Sequence, residues 1–187
     1  MLCKLKRSIQ IEQNNFKKGK LLMKLAERYY DSKKYLAASS YYKQAIKYPI
    51  SSTALGACYD MLGSLYQELK DYKKATYYHN LALNKPQPKN RKATILTNLA
   101  RIYFNIYHKD ELAFNLFQKA LQLFDSRLNY YDKESLSHCH YCLGVIWQET
   151  GNLSKARYHY KRTLCVSKAN SDNSKKASEN LDKINSM

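Results

Sequence analysis

Small, aromatic and aliphatic positions recur along this chain at the three- and four-residue spacing of a helix face, and the whole pattern then returns in blocks. Ala38, Ala75, Ala113 and Ala156 lie 37, 38 and 43 residues apart. Four residues after each comes a ring: Tyr42, His79, Phe117 and Tyr160. Seven residues after each comes Ala45, Ala82, Ala120 or Thr163. Upstream of each alanine runs a second signature: Leu25, Ala26 and Tyr29; Leu62, Gly63 and Tyr66; Leu99, Ala100 and Tyr103; Leu143, Gly144 and Trp147. A repeat of this length is one helical hairpin stacked on the next. The pattern predicts hairpins over about residues 19–48, 53–84, 90–124 and 133–168, with no segment of strand period.

Breaker residues place the turns and stops. Pro49 ends the first hairpin, and Pro86 and Pro88 end the second, because proline cannot continue a helix. Turns are expected near Asp31 and Ser32, Lys70 and Asp71, His108 and Lys109, and at Thr150, Gly151 and Asn152. The third repeat carries one extra residue in its inner turn, and its link to the fourth is long. Leu2, Leu5, Ile9 and Phe16 suggest a short helix in a basic N-terminal segment, residues 1–18. After a polar break at 169–174, Ala177, Leu181 and Ile184 share one face of a final helix over 173–187, with charge elsewhere. That is what a cap needs: an apolar stripe over the last repeat and a solvated back.

The small residues have a packing reason. Two helices approach closely only where side chains are small, so Ala26, Gly63, Ala100 and Gly144 on first helices face Ala38, Ala75, Ala113 and Ala156 on second helices. The rings fill the space so opened.

On these residues the chain resembles the tetratricopeptide repeat (TPR) family, whose pattern is an aromatic, then Leu-Gly, Tyr, Ala, Phe and Pro at set spacings. The second repeat shows it as Tyr59, Leu62, Gly63, Tyr66, Ala75, Ala82 and Pro86, the fourth as Leu143, Gly144, Trp147, Gly151, Ala156 and Tyr160. Departures are Leu22, Leu96 and His140 in the first aromatic slot, and His79 in the phenylalanine slot. The resemblance covers residues 19–168 as four repeats (19–52, 56–89, 93–127, 137–170). It implies an all-α, right-handed superhelical solenoid of four hairpins with a C-terminal capping helix. It also implies that first helices line a concave groove holding a peptide or protein segment. By position that groove would include Lys24, Glu27 and Tyr30; Asp60, Ser64 and Gln67; Asn98, Arg101 and Asn105; and Tyr141 and Gln148. Its expected character is mixed and slightly acidic, with amides able to clamp a peptide backbone. The family's chaperone-tail clamp needs Lys and Asn where this chain has Met23 and Glu27, or Asp60 and Ser64, and an acid there repels a carboxylate, which excludes it.

Charge changes the picture most. The net charge is +17 over 187 residues. Compositional bias, an acidic partner, nucleic acid and an anionic membrane surface each account for such a charge. Lys43, Lys47, Lys73, Lys74, Lys155, Arg157, Lys161 and Arg162 sit on second helices, expected to face outward, and no acid occurs between Gly151 and Ser171. An acidic partner is therefore expected on the outer face or an edge. No apolar run is long enough to span a membrane, and no apolar stretch of a signal peptide follows the basic start. Five cysteines without framework spacing suit a reducing compartment, so the expectation is cytoplasmic.

Candidate chemistry is sparse. His138 and Cys142 share a helix face, but Cys139 and His140 point elsewhere, so four metal ligands do not converge, and neither metal nor cofactor is expected. No phosphate loop, metalloprotease motif or nucleophile elbow occurs, so the expectation is no enzyme. The reading is a non-catalytic interaction module, an adapter or assembly scaffold. Alternatives are a peptide sensor similar to the TPR domains of bacterial pheromone receptors, or a basic nucleic-acid-associated TPR protein.

Overall fold

The computed structural model describes residues 2–186, so Met1 of the expected basic segment and Met187 of the expected cap lie outside the described residues. The described chain is all-α and divides into two compact units, 1–87 and 88–187. The first holds α1 (Leu2–Ile11), α2 (Asn15–Asp31), α3 (Tyr35–Ala45), α4 (Ser52–Glu68) and α5 (Tyr72–Leu83). The second holds α6 (Lys89–Asn105), α7 (Asp110–Leu123), α8 (Tyr130–Glu149), α9 (Leu153–Val166) and α10 (Asp172–Asn185). The helices pair as hairpins α2/α3, α4/α5, α6/α7 and α8/α9.

In each hairpin the repeated small residues and rings form the core. Ala38, Ala75, Ala113 and Ala156 are fully buried, as are Tyr42, His79, Phe117 and Tyr160. The contact that sets the hairpin spacing is visible at the glycines. A Cβ on Gly63 would stand 2.6 Å from the His79 ring, and one on Gly144 would stand 2.6 Å from the Tyr160 ring. Ring faces lie where a side chain would otherwise be. Further aromatic pairs tie the two helices together: Tyr29 stacks on Tyr41 at 5.2 Å, and Tyr66 on Tyr78 at 5.5 Å.

The four inner turns share one device. Lys33, Lys70, His108 and Gly151, one per hairpin, all have positive φ. In the second hairpin Lys70 N–H donates to the Gln67 carbonyl and Asp71 N–H to the Tyr66 carbonyl, the two bonds of a Schellman stop. The next residue then opens the following helix: Asp71 Oδ1 accepts from Lys74 N–H at 3.1 Å, as Asn152 Oδ1 does from Lys155 N–H. The third turn is one residue longer, and there Lys109 N–H reaches the Tyr103 carbonyl.

The long α7–α8 link is held from α6. The Asn90 side chain donates to Asp125 Oδ1 and the Arg127 carbonyl, both at 2.9 Å, and accepts from Asp125 N–H. Asn129 and Asp132 form a capping box that starts α8 at Tyr130, ahead of the expected 133. Ala177, Leu181 and Ile184 of α10 cover Ala156 and Tyr160 of the last hairpin. At the other end α1 packs on α2 with none of its residues buried, and Phe16 belongs to α2 rather than to the first helix.

Two stability outcomes follow. Gly144→Ala drives a methyl into a buried ring; overpacking costs about 1–3 kcal/mol and helix propensity returns up to about 1. Denaturant melts should show a net loss of about 1–2 kcal/mol, and an unchanged midpoint refutes the close-approach account. Lys70→Gly releases a left-handed backbone that costs about 1–2 kcal/mol, against about 0.4–1 kcal/mol of added chain entropy when unfolded. The same melts should show a gain of about 0.5–1 kcal/mol.

Candidate functional site

The residues expected to line a groove fall on first helices, and each unit carries its own share. In the first unit Lys24 and Glu27 are exposed on α2 and border a cleft of about 690 Å³ whose other wall is Leu2, Lys4, Leu5 and Ser8 of α1. Tyr30 is half-buried, its ring 5.7 Å from that of Tyr35. The negative charge of Glu27 also reaches Cys58, whose thiol is pushed up to about 12, chiefly by burial.

On α4 the structure departs from a solvated groove. Asp60 is only 6% exposed. Its Oδ1 lies 3.4 Å from His79 Nδ1, while Gln67 Oε1 lies 3.2 Å from His79 Nε2. Two groove candidates therefore reach inward to the one ring that replaces the family's phenylalanine. Histidine in that slot brings two polar ring atoms into the core, and buried polar atoms need partners. Ser64 is half-buried beside them.

In the second unit Asn98, Arg101, Tyr141 and Gln148 are half-buried and Asn105 is exposed. Gln148 is committed: its Oε1 accepts from the Tyr160 hydroxyl at 2.7 Å, and that hydroxyl accepts from Asn180 Nδ2 at 3.1 Å. Tyr141 packs its ring 6.1 Å from that of Tyr160. Arg101 presents a buried Nε with no hydrogen-bond partner.

The structure adds α10 to this face. His138 on α8 is pushed down to about 3, first by burial and then by the charge of Arg101 from α6, with Lys176 from α10 adding to it. Asn173 of α10 hydrogen-bonds the His138 ring and opposes the shift. One turn on, burial pushes Cys142 up to about 12 while Arg101 and Lys176 pull the other way. Both α8 side chains thus feel the same two cations, one from each flanking helix. Arg101 and Lys176 flank His138 and Cys142, while Glu179 of α10 acts on Tyr141, so charge of both signs meets here. Asn173, Lys176 and Asn180 escaped sequence reasoning, which took α10 as a cap with a solvated back. Their spacing carried the signal: it runs beside the Ala177, Leu181 and Ile184 stripe at helical intervals.

His140 turns away from that face. Its Nδ1 lies 3.0 Å from His159 Nδ1 across α8 and α9. Burial pushes His140 down to about 3, with the charges of His159 and Arg162 adding, and pushes His159 down to about 4. Cys139 donates to the Phe117 carbonyl at 3.4 Å, and burial holds its thiol well above the usual range. Among the described residues no three His, Cys, Asp or Glu side chains are placed to hold a metal ion, and no helix is long and apolar enough to cross a membrane.

No family model matches the chain, and no curated protein matches it in sequence. Solved structures share its fold, MamA and BtubC among them. MamA aligns with TM-score 0.66 at 17% identity, over 88% of this chain and 85% of that one. BtubC from P. vanneervenii aligns with TM-score 0.69 at 19% identity, over 98% of this chain and 81% of that one. Both are TPR-like helical-repeat proteins, so the likeness carries the fold.

The buried histidines give a pH dependence. Both His140 and His159 have folded values below the unfolded value of about 6.5, so the unfolded chain binds more protons and stability falls as pH falls through that range toward about 4. The loss can reach about 1.4 kcal/mol per pH unit for each histidine. Urea melts between about pH 7 and 4.5 should show a shallower slope for the His140→Phe/His159→Phe variant than for the parent. Equal slopes would show that the pair is not held neutral.

Proposed function

We propose that this chain is a non-catalytic protein–protein interaction module, an adapter or assembly scaffold, whose first-helix faces take a peptide or protein segment. Supporting the reading are a fold made of stacked hairpins and the convergence of Arg101, His138, Tyr141, Asn173 and Lys176 from three helices of the second unit. The observation that carries it is Arg101. Its Nε is buried without a partner, and no salt bridge among the described residues neutralises Arg101 or Lys176. Arg101 is half-buried, so a guanidinium N–H shielded from water without its hydrogen bond costs free energy, and a ligand carboxylate relieves that cost. The segment bound is therefore an extended peptide with an acidic side chain or a free C-terminus. Asn98, Asn105 and Tyr141 offer polar and ring contacts along it, and the α2 and α4 face, with Lys24, Glu27, Tyr30 and Ser64, serves a second segment.

Isothermal titration against an array of acidic-tailed peptides tests this. Arg101→Ala should weaken the best peptide by about tenfold or more, and amidating or neutralising the peptide's carboxylate should weaken it by a similar factor. Peptides that bind with no dependence on Arg101, Lys176 or carboxylate would refute the assignment of the face.

A further inference from the structure

We infer that the outer side of the second unit, centred on α9, is a binding surface for single-stranded nucleic acid. On α9 the side chains of Lys155, Tyr158, Lys161 and Arg162 are exposed and share one face, since positions three and four apart lie together on a helix. Tyr158 is 57% exposed and sits between the cations. No carboxylate occurs from Gly151 to Ser171, and none of these cations is in a salt bridge among the described residues. Lys155 lies over the Trp147 ring at 4.0 Å, which fixes its stem and leaves its charge unneutralised.

Tyr158 and Arg162 line a cleft of about 450 Å³ together with Leu121, Phe124, Leu128, Leu136 and Val166 and the buried His140. A cleft with mostly apolar walls, an exposed ring and a guanidinium suits a planar base with a phosphate beside it. The one acid in the cleft, Asp125, is already bound by the Asn90 side chain and the Arg127 backbone. The strip continues past the cleft, where Lys168 lies 4.3 Å over the Tyr130 ring and Tyr130 is itself half exposed. Cations tracking a backbone with rings interleaved for stacking is the arrangement that holds unpaired strands. An acidic protein would use the cations but has no need of the exposed ring in a mostly apolar cleft. A duplex hides its bases and would use the cations alone.

This surface is centred on α9, and none of Arg101, His138, Cys142, Asn173 and Lys176 lines its cleft, so the two assignments fail separately. The full chain is titrated against a labelled uridine RNA of about 12 nucleotides by fluorescence anisotropy, at roughly 50–200 mM salt. With Lys155, Lys161 and Arg162 each on a phosphate, log affinity should fall against log salt with a slope of about −2. Lys161→Glu/Arg162→Glu should weaken binding at least tenfold and flatten that slope. Tyr158→Ala should weaken it about 5- to 150-fold and leave the slope unchanged. Arg101→Ala should change nothing. All three positions are exposed, and far-ultraviolet circular dichroism confirms that each variant is folded. No binding at the lowest salt overturns the proposal. So does binding indifferent to both outer-face variants, or equal binding of the annealed duplex. Polyglutamate that competes as well as RNA, with Tyr158→Ala silent, also overturns it and points to an acidic protein.

Discussion

Close approach of two helices at a position with no side chain, or with only a methyl group, governs this structure. Gly63 beneath the His79 ring and Gly144 beneath the Tyr160 ring leave no room for a methyl group. Once that contact is made, the rings and the repeated alanines are sealed from water, and the hairpin becomes a unit with two unlike outer faces. One face is built from first helices and gathers amides and half-buried charge. The other is built from second helices and gathers exposed lysine, arginine and tyrosine. A hairpin cannot bury its apolar side alone, so each leans on a neighbour, and α10 closes the last one.

The turns show how little sequence is needed to hold this arrangement. Each requires one residue in the left-handed region, and only the fourth uses glycine. Lysine or histidine elsewhere accepts the strain because backbone bonds close the first helix, and in the second turn the Asp71 side chain also caps the helix that follows. Where a residue was added, between α6 and α7, the turn absorbed it and the buried alanine and ring of that hairpin stayed in place. The longer α7–α8 link was absorbed differently, by Asn90 bridging to Asp125 and Arg127.

Positive charge is divided by the same geometry. Arg101 is half-buried, where lower dielectric makes an unneutralised cation costly and a carboxylate welcome, and Lys176 adds its charge to the same face from an exposed position. Lys155, Lys161 and Arg162 stay in water, where charge costs little and acts at longer range. A single net charge of +17 thus covers two physically distinct surfaces.

The all-α repeat was legible because its signals are local. Spacing of alanine, glycine and ring positions, prolines at the ends and polar caps at the turns are all read within a few residues of one another. What could not be read was anything set by which helices lie side by side. Asp60 and Gln67 look like solvated groove residues until His79, on the neighbouring helix, is seen to draw both inward. Lys176 looks like the solvated back of a cap until α8 brings His138 and Cys142 beside it. The sequence by itself determined the helices, their pairing into hairpins and the small residues that let them touch, since these depend on periodicity along one chain. Only the tertiary structure decided which polar side chains are spent inside and which remain for a ligand, since burial and charge pairing depend on neighbours far apart in sequence.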